Sequence, residues 1–321
     1  MAYTFNYTTI GSGQNTTFTD ELKEKLLAKM VFEGRTAELV KVIPGVKRAI
    51  TLNLLANTAK PTTATCGWTP DPSNKYVNLD QKELEVCPLE IKDAICPKDF
   101  EQLYLGMYMK NNKEVPFEEL IAESYINKAM NFNEKIIWDR GGCTDGLLKM
   151  ISEDGNVTDA STEVAGASDA VEAVNALIAA ATPDILMHSD KVVFTSYAMY
   201  NAYASKLRAT NLYIQPNYQN GDGANYEMYI PGTDIRLIAI AGMDNPATTI
   251  ASGYSLDGGV TFQPMILTYA DNIVLGTDML NDEEMLDMFY SRDNDEVRIN
   301  IQYKLGWNFY FGEHIVKGYT I

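Results

Sequence analysis

Histidine is nearly missing from this sequence: His188 and His314 are the two among 321 residues, and they stand in unrelated sequence contexts. Histidine triads and imidazole-rich metal centres therefore have little to draw on. Cysteine is almost as scarce. Cys66, Cys87, Cys96 and Cys143 form no CxxC pair, so no structural zinc site is indicated and reduced, mostly buried thiols are the expected state. No run approaches the roughly 18–20 apolar residues of a membrane helix. The Thr- and Asn-rich start, Met1 to Asp20, lacks the basic residue and apolar core of a secretory signal. The expectation is a soluble chain folded in a cytoplasm, without a membrane partner.

Basic charge is the next deficit. Lys and Arg total 26 against 43 Asp and Glu, a formal net charge of −17. Residues 1–110 are neutral, with 13 acids and 13 bases, so residues 111–321 hold the whole excess. Residues 141–190 carry nine acids and one base, Lys149, and residues 271–296 carry nine acids and one base, Arg292. A nucleic-acid reader needs a basic stripe, and none is present. If this chain meets DNA, it does so without gripping phosphates. Acidity that only keeps an abundant protein soluble accounts equally well for the charge.

Catalytic signatures are also lacking. There is no Walker loop, Gly11-Ser12-Gly13 lacks the third glycine of a dinucleotide turn, and no G-x-S-x-G elbow occurs. Cys143 follows Gly141-Gly142 with no histidine beside it in sequence. His188 reads as a loop residue near a helix end, and His314 as a rim or interface residue. Asn220-Gly221-Asp222-Gly223 with Glu227 hints at calcium, but that alignment places Pro216 and Tyr218 at the first two ligand positions and fails. Asp282, Glu283, Glu284 and Asp287 read as a solvated helix start capped by Asn281. The sequence thus supports no catalytic residue, cofactor or metal, and no enzymatic activity.

What is present is a distinctive order of parts. Residues 1–18 are too polar to build a core and read as an extended arm. Thr19 caps a short helix with Leu22, Leu26, Leu27 and Met30 on one face, stopped at Gly34. Leu39 to Ile43 and Ala49 to Leu52 read as strands joined at Pro44-Gly45. Residues 56–80 contain Pro61, Pro70 and Pro72 and show neither helical nor strand period. Strand character resumes at Leu84 to Val86. Together these make a long two-stranded tongue with a proline-stiffened tip. Trp68 sits on that tip, either packed on Pro70 or anchored on a partner chain, where tryptophan is enriched. An isolated ribbon is marginal in water and needs a surface to lie on.

Pro116, Glu118 and Glu119 open the strongest helix, with Phe117, Leu120, Ile121, Tyr125, Ala129, Phe132 and Ile136 as its apolar stripe and Glu119, Glu123, Asn127 and Glu134 opposite. From Phe117 to Asp139 it spans about 34 Å, ended by Gly141-Gly142. An α/β stretch follows: a helix from Ser168 to Ala181 closed by Pro183, strand Val192-Val193-Phe194 leading into helix Tyr197 to Leu207, and a central strand Ile235 to Ala241. Finally Val297, Ile299, Ile301, Tyr303 and Leu305 alternate with Arg298, Asn300, Gln302 and Lys304, a half-buried strand of roughly 30 Å. It matches the long helix in length, so the two can pack side by side.

This layout resembles the major capsid proteins of tailed bacteriophages, the Hong Kong 97-type fold. The resemblance is carried by Leu39 to Cys96 as the extended loop, Val115-Pro116-Phe117-Glu118-Glu119-Leu120 as the start of the spine helix, Val192-Val193-Phe194 with Tyr197-Ala198-Met199-Tyr200 as an axial-domain unit, and Ile273 to Asp278 followed by Asp295 to Ile299 as the return to the peripheral domain. It implies an α+β, Hong Kong 97-like capsid fold divided into an N-terminal arm and short helix (1–36), an extended β-hairpin loop (37–98), a peripheral domain with the spine helix (99–164), an axial domain (165–280) and a return to the peripheral domain (281–321). It further implies a virion structural protein assembled in a bacterial host's cytoplasm. Copies would join as hexamers and pentamers in an icosahedral shell, with portal and scaffolding proteins as partners. The shell would enclose double-stranded DNA without sequence-specific binding. Arm and tongue would lie across adjacent subunits, with Trp68, Pro70 and Pro72 as the tip contact. A polar arm starting at Met1 suggests a separate scaffold or none, and Lys60 and Lys75 lie where some relatives cross-link. Two alternatives remain open: an encapsulin-type shell around a cargo enzyme, and a soluble hydrolase using Cys143 or a histidine.

Overall fold

The computed structural model describes residues 34–57, 77–96, 117–140, 144–210, 226–244, 246–256, 262–278, 285–291, 293–294 and 296–321. Its strands are β1 (Lys41–Pro44), β2 (Ala49–Asn57), β3 (Val77–Glu85), β4 (Cys87–Ile95), β5 (Thr158–Asp159), β6 (Lys191–Thr195), β7 (Glu227–Tyr229), β8 (Arg236–Ala239), β9 (Tyr254–Ser255), β10 (Phe262–Gln263), β11 (Met265–Tyr269), β12 (Ile273–Thr277), β13 (Met285–Ser291), β14 (Glu296–Phe309) and β15 (Val316–Lys317). The expected arm, the helix near Leu22 to Met30 and the tip with Trp68, Pro70 and Pro72 lie outside the described residues.

β14 organises the first sheet. One edge pairs antiparallel with β4 from Val297↔Ile95 to Leu305↔Cys87. The other edge is shared by β13, opposite Glu296 to Gln302, and β12, opposite Leu305 to Phe309. β1 lies parallel to β12 at the sheet's end. The alternation in the sequence is what buries this strand: Val297, Ile299, Ile301, Tyr303 and Leu305 are buried while Arg298, Asn300, Gln302 and Lys304 are partly exposed. Their apolar face shares one core with Ile121, Ile126 and Ala129 of the helix Phe117–Lys135. Tyr303 Oη donates to Asn133 Oδ1 at 2.6 Å, fastening strand to helix. The side-by-side packing expected from matched lengths is observed.

The second sheet has the order β5-β15-β11-β6-β8-β7, with β6 and β8 parallel. Val192 and Phe194 of β6 face the core that holds the long helix, and Val193 faces the helices Ala170–Ala179 and Tyr197–Ala209. Both faces are covered, so all five residues of β6 are buried, as its unbroken apolar run requires. Ser196 caps the helix after β6, accepting from Met199 N at 3.1 Å.

Several expectations need correction. The helix that Gly34 was expected to stop lies outside the described residues; Gly34 itself precedes the helix Arg35–Leu39, so Leu39 is helical rather than extended. β1 does not pair with β2 through Pro44-Gly45. Gly45 takes φ 77°, and Val46 N donates to Thr277 O at 3.0 Å, which keeps the chain on β12. The ribbon strands are longer than the sequence indicated, with β2 reaching Asn57 and β3 starting at Val77. Residues 41–44 and 87–95, taken as parts of the extended loop, belong to the first sheet. Ser168 is not the cap of the next helix: Asp169 is, accepting from Val171 N and Glu172 N, while Ser168 N and Oγ donate back to the Glu172 carboxylate. Pro183 opens the short helix Pro183–Leu186, where a missing N–H costs nothing, rather than closing one. Asp287 lies in β13, not at a helix start.

The long helix is rotated from its expected setting. Phe132 is 50% exposed, and Glu134, expected on the wet face, is 6% exposed. The reason is tertiary. The helix ends in a π turn, Ile136–Arg140, which swings Trp138 against Phe194 with ring centroids 5.3 Å apart. Glu134 is buried because the segment after Gly34 satisfies it: Thr36 N donates to Oε1 at 2.8 Å and Thr36 Oγ1 to Oε2 at 2.5 Å. Trp138 Nε1 in turn donates to Thr36 Oγ1 at 2.7 Å. Gly242 lies against the backbone of the same helix, since a Cβ there would sit 2.2 Å from the Glu134 carbonyl oxygen and 2.7 Å from Trp138 Cδ1.

Burial pushes the Glu134 carboxyl above its ordinary 4.5, against the Thr36 hydrogen bonds and Arg35, with Glu38 adding to the rise. The folded chain therefore holds this proton to higher pH than the unfolded chain does. Stability falls as pH rises between 4.5 and the raised value. Measured by urea unfolding across pH, the unmodified protein should lose stability relative to Glu134→Gln over that window and run parallel to it below.

Candidate intersubunit surface

β2 and β3 form a two-stranded ribbon in register from Ala49↔Glu85 to Asn57↔Val77. Adjacent leucines on a strand point to opposite faces, so Leu54-Leu55 places apolar surface on both sides of the ribbon. Leu52 and Leu84 are buried with Val274, against Ile43 and Tyr310, and make the face that seats the ribbon's root. On the outer face Leu55 stands opposite Leu79, and the two are 60% and 78% exposed. Between them and the root, Gln81 Nε2 donates to Asn53 Oδ1 at 3.1 Å.

Polar contacts also hold the root. Asn308 Nδ2 donates to Glu83 O at 2.7 Å, and Lys82 Nζ lies 3.0 Å from Asp154 Oδ2 and 3.7 Å from the centroid of the Phe309 ring. The ribbon comes so close to β14 that a Cβ at Gly306 would lie 2.1 Å from Glu85 O. Burial would raise the Asp154 carboxyl, but the Asn156 amide and the Lys82 ammonium hold it below the usual range. No local pattern pointed to Lys82 or Asp154, because 72 positions separate them and each is an ordinary surface residue by type. The Leu54-Leu55 doublet was the available sign of the outer leucine.

The other candidates fall as follows. The two histidines are not unrelated: His188 stacks on Tyr269 at 4.0 Å, and Tyr269 Oη lies 3.2 Å from His314 Nδ1. Burial pushes the His314 imidazole below its ordinary 6.5, Glu313 and Asp184 opposing and His188 adding to the effect. β6 and β11 pair antiparallel, and this register brings the loop before β6 to the end of β11. Glu227 binds Arg35 at 2.9 Å and Arg236 at 3.1 Å, as a structural bridge. Cys87 is disulfide-bonded and Cys96 is free and exposed, which corrects the expectation of buried, reduced thiols. Trp68, Pro70, Pro72, Lys60, Lys75, Cys143, residues 220–223 and residues 282–284 lie outside the described residues. Among the described residues no group of three His, Cys, Asp or Glu is placed to hold a metal ion, and no helix is long and apolar enough to cross a membrane.

No protein-family model and no curated protein sequence matches the chain. Among solved structures it is similar to a chain of the satellite phage P4 procapsid, a structure that includes the size determination protein: 11% identity, TM-score 0.57, with 95% of this chain and 93% of that chain covered. The capsid of an empty GTA particle gives 9% identity and a TM-score of 0.60, covering 89% of each chain. A virus-like particle from Pyrococcus furiosus gives 10% identity and a TM-score of 0.50 over 92% of this chain and 97% of that one. At these identities the likeness establishes the fold, which is α+β and Hong Kong 97-like.

The two faces of the ribbon differ in what they contribute to one subunit. Leu84→Ala should cost about 2–5 kcal/mol of stability, whereas Leu79→Ser should stay within about 0.5 kcal/mol. Thermal unfolding of the two variants checks the contrast.

Proposed function

We propose that this chain is a major capsid protein that joins copies of itself, as hexamers and pentamers, into an icosahedral shell enclosing double-stranded DNA. The observation that carries this reading is the ribbon: it projects from a whole-chain capsid fold with one face seated on its own subunit and a leucine pair exposed on the other. A neighbouring copy is the occupant that a shell supplies. The acid excess fits a container that does not adhere to its contents, because it offers few unopposed Lys and Arg side chains to displace the counterions of DNA. The role is structural, located in the virion, with portal and scaffolding proteins as further partners. The division into arm, tongue, peripheral and axial parts belongs to the same proposal, with residues 41–44 and 87–95 assigned to the peripheral sheet.

Negative-stain imaging and size exclusion of the purified chain test the reading. Closed particles of uniform size support it, and a stable monomer or dimer under all assembly conditions overturns it. The content of the particles separates the encapsulin-type alternative, since a protein cargo in place of DNA favours that one.

Within this reading Trp68, Pro70 and Pro72 anchor the tongue tip on a neighbouring subunit, the prolines reducing the entropy lost on docking. Losing an anchor side chain costs about 2 kcal/mol or more, repeated at every copy in a shell. Trp68→Ala should give soluble, folded protein that yields few or fragile shells, while Asn74→Ala assembles normally. Particle yield and thermal endurance in the electron microscope check the pair.

A further inference from the structure

We infer that Lys82 preorganises the ribbon, holding it in its docking direction before a second subunit arrives; the inference rests on the shell reading and deepens it. The ribbon is a separate two-stranded sheet, so its strands' backbone partners in the ladder are each other, and such a hairpin is marginal alone. Its apolar seat on Val274 is non-directional, and the hydrogen bond from Asn308 Nδ2 to Glu83 O pins a single point about which the ribbon can rock. Lys82 supplies direction. Its one ammonium joins the ribbon to two other elements, the C-cap residue Asp154 of the helix Leu147–Glu153 and the Phe309 ring of β14. The receiving carboxylate is oriented independently, because Asp154 Oδ1 already accepts from Asn156 N at 2.9 Å. The pair is shielded, with side chains 24% and 15% exposed, so salt screens it less than a surface pair. A ribbon fixed in this way loses less conformational freedom when it docks.

The test uses the full chain with Lys82→Met, which keeps the stem and removes the charge, Lys82→Arg, which keeps the charge and can stack on Phe309, and Lys92→Met. Lys92 pairs with Glu90 on exposed β4 surface and controls for charge loss alone. Hydrogen exchange of the unassembled subunit is read over residues 48–55 and 79–86, and light scattering gives the lowest concentration at which particles form. Lys82→Met should speed exchange in the ribbon, leave β14 unchanged, and raise the assembly concentration by about threefold to tenfold. Lys82→Arg and Lys92→Met should behave like the unmodified protein. Should Lys82→Met fail to fold, Asp154→Asn reads the same clamp from its other side. Unchanged ribbon exchange overturns the inference, and so does faster exchange with an unchanged assembly concentration. If the unmodified chain forms no particles, the shell reading fails while ribbon exchange still decides whether the clamp exists.

Discussion

One strand with a period of two sets the terms for the rest of the chain. β14 has fourteen residues and a buried face along nearly all of its length. A face of that extent needs an apolar partner, and the helix Phe117–Lys135 shares one core with its alternating stretch Val297 to Leu305. Its two edges also need backbone partners, because orphaned amides under a helix are costly. These come from three strands, the distant β4 on one edge and the nearby β12 and β13 on the other, and β1 in turn pairs with β12. The pairing of Val297 with Ile95 spans about two thirds of the chain. A slip of one residue along β14 would turn its isoleucines outward, so register and helix packing fix each other.

The second constraint is the buried carboxylate of Glu134. It binds the root of the N-terminal segment to the long helix through Thr36, while Arg35 in the same segment reaches Glu227 on β7. Residues 35–39 thus sit between helix and second sheet and tie both. A buried carboxylate is costly unless it is hydrogen-bonded, and here Thr36 donates once to each of its oxygens, offsetting part of that cost. Leaving the carboxylate without Thr36 would expose its full desolvation cost. Packing of the two sheets therefore depends on a segment that is short, polar and unremarkable in composition.

These two constraints explain which features could be read in the sequence. β14, the strand into helix at Thr195–Tyr197 and the length of the long helix follow from local periodicity, which a sequence displays directly. The face of that helix did not, since Glu134 is polar by type and becomes a core residue only where Thr36 meets it. Ser168 misled because it sits one residue before the true cap, Asp169, and Pro183 because it opens the next helix rather than closing the one that ends at Ala179. Placing both histidines on Tyr269 required the β6–β11 register for His188 and the β11–β15 register for His314, which no single stretch contains. The ribbon was visible as two strands around a proline-rich turn region, but its root, held by Lys82, Asn308 and the close approach at Gly306, is entirely long-range.

The energetics of the ribbon bear on the kind of assembly this chain can make. Burying one exposed leucine is worth about 1.5–3 kcal/mol, so the Leu55–Leu79 pair offers a few kcal/mol per contact. Joining two free subunits costs an estimated 4–15 kcal/mol in lost motion. A single ribbon contact therefore leaves two copies mostly apart, and a binary complex held by it alone is not a stable product. Closed symmetry changes the balance, because within a ring each added contact is made by partners already held in place. Weak individual contacts also dissociate readily, so a misplaced subunit can leave before the ring closes around it. Under the shell reading, a stiff root and a small leucine patch on the ribbon together favour that regime: the root limits what each contact loses in ordering, and the small area of the Leu55–Leu79 pair keeps that contact reversible.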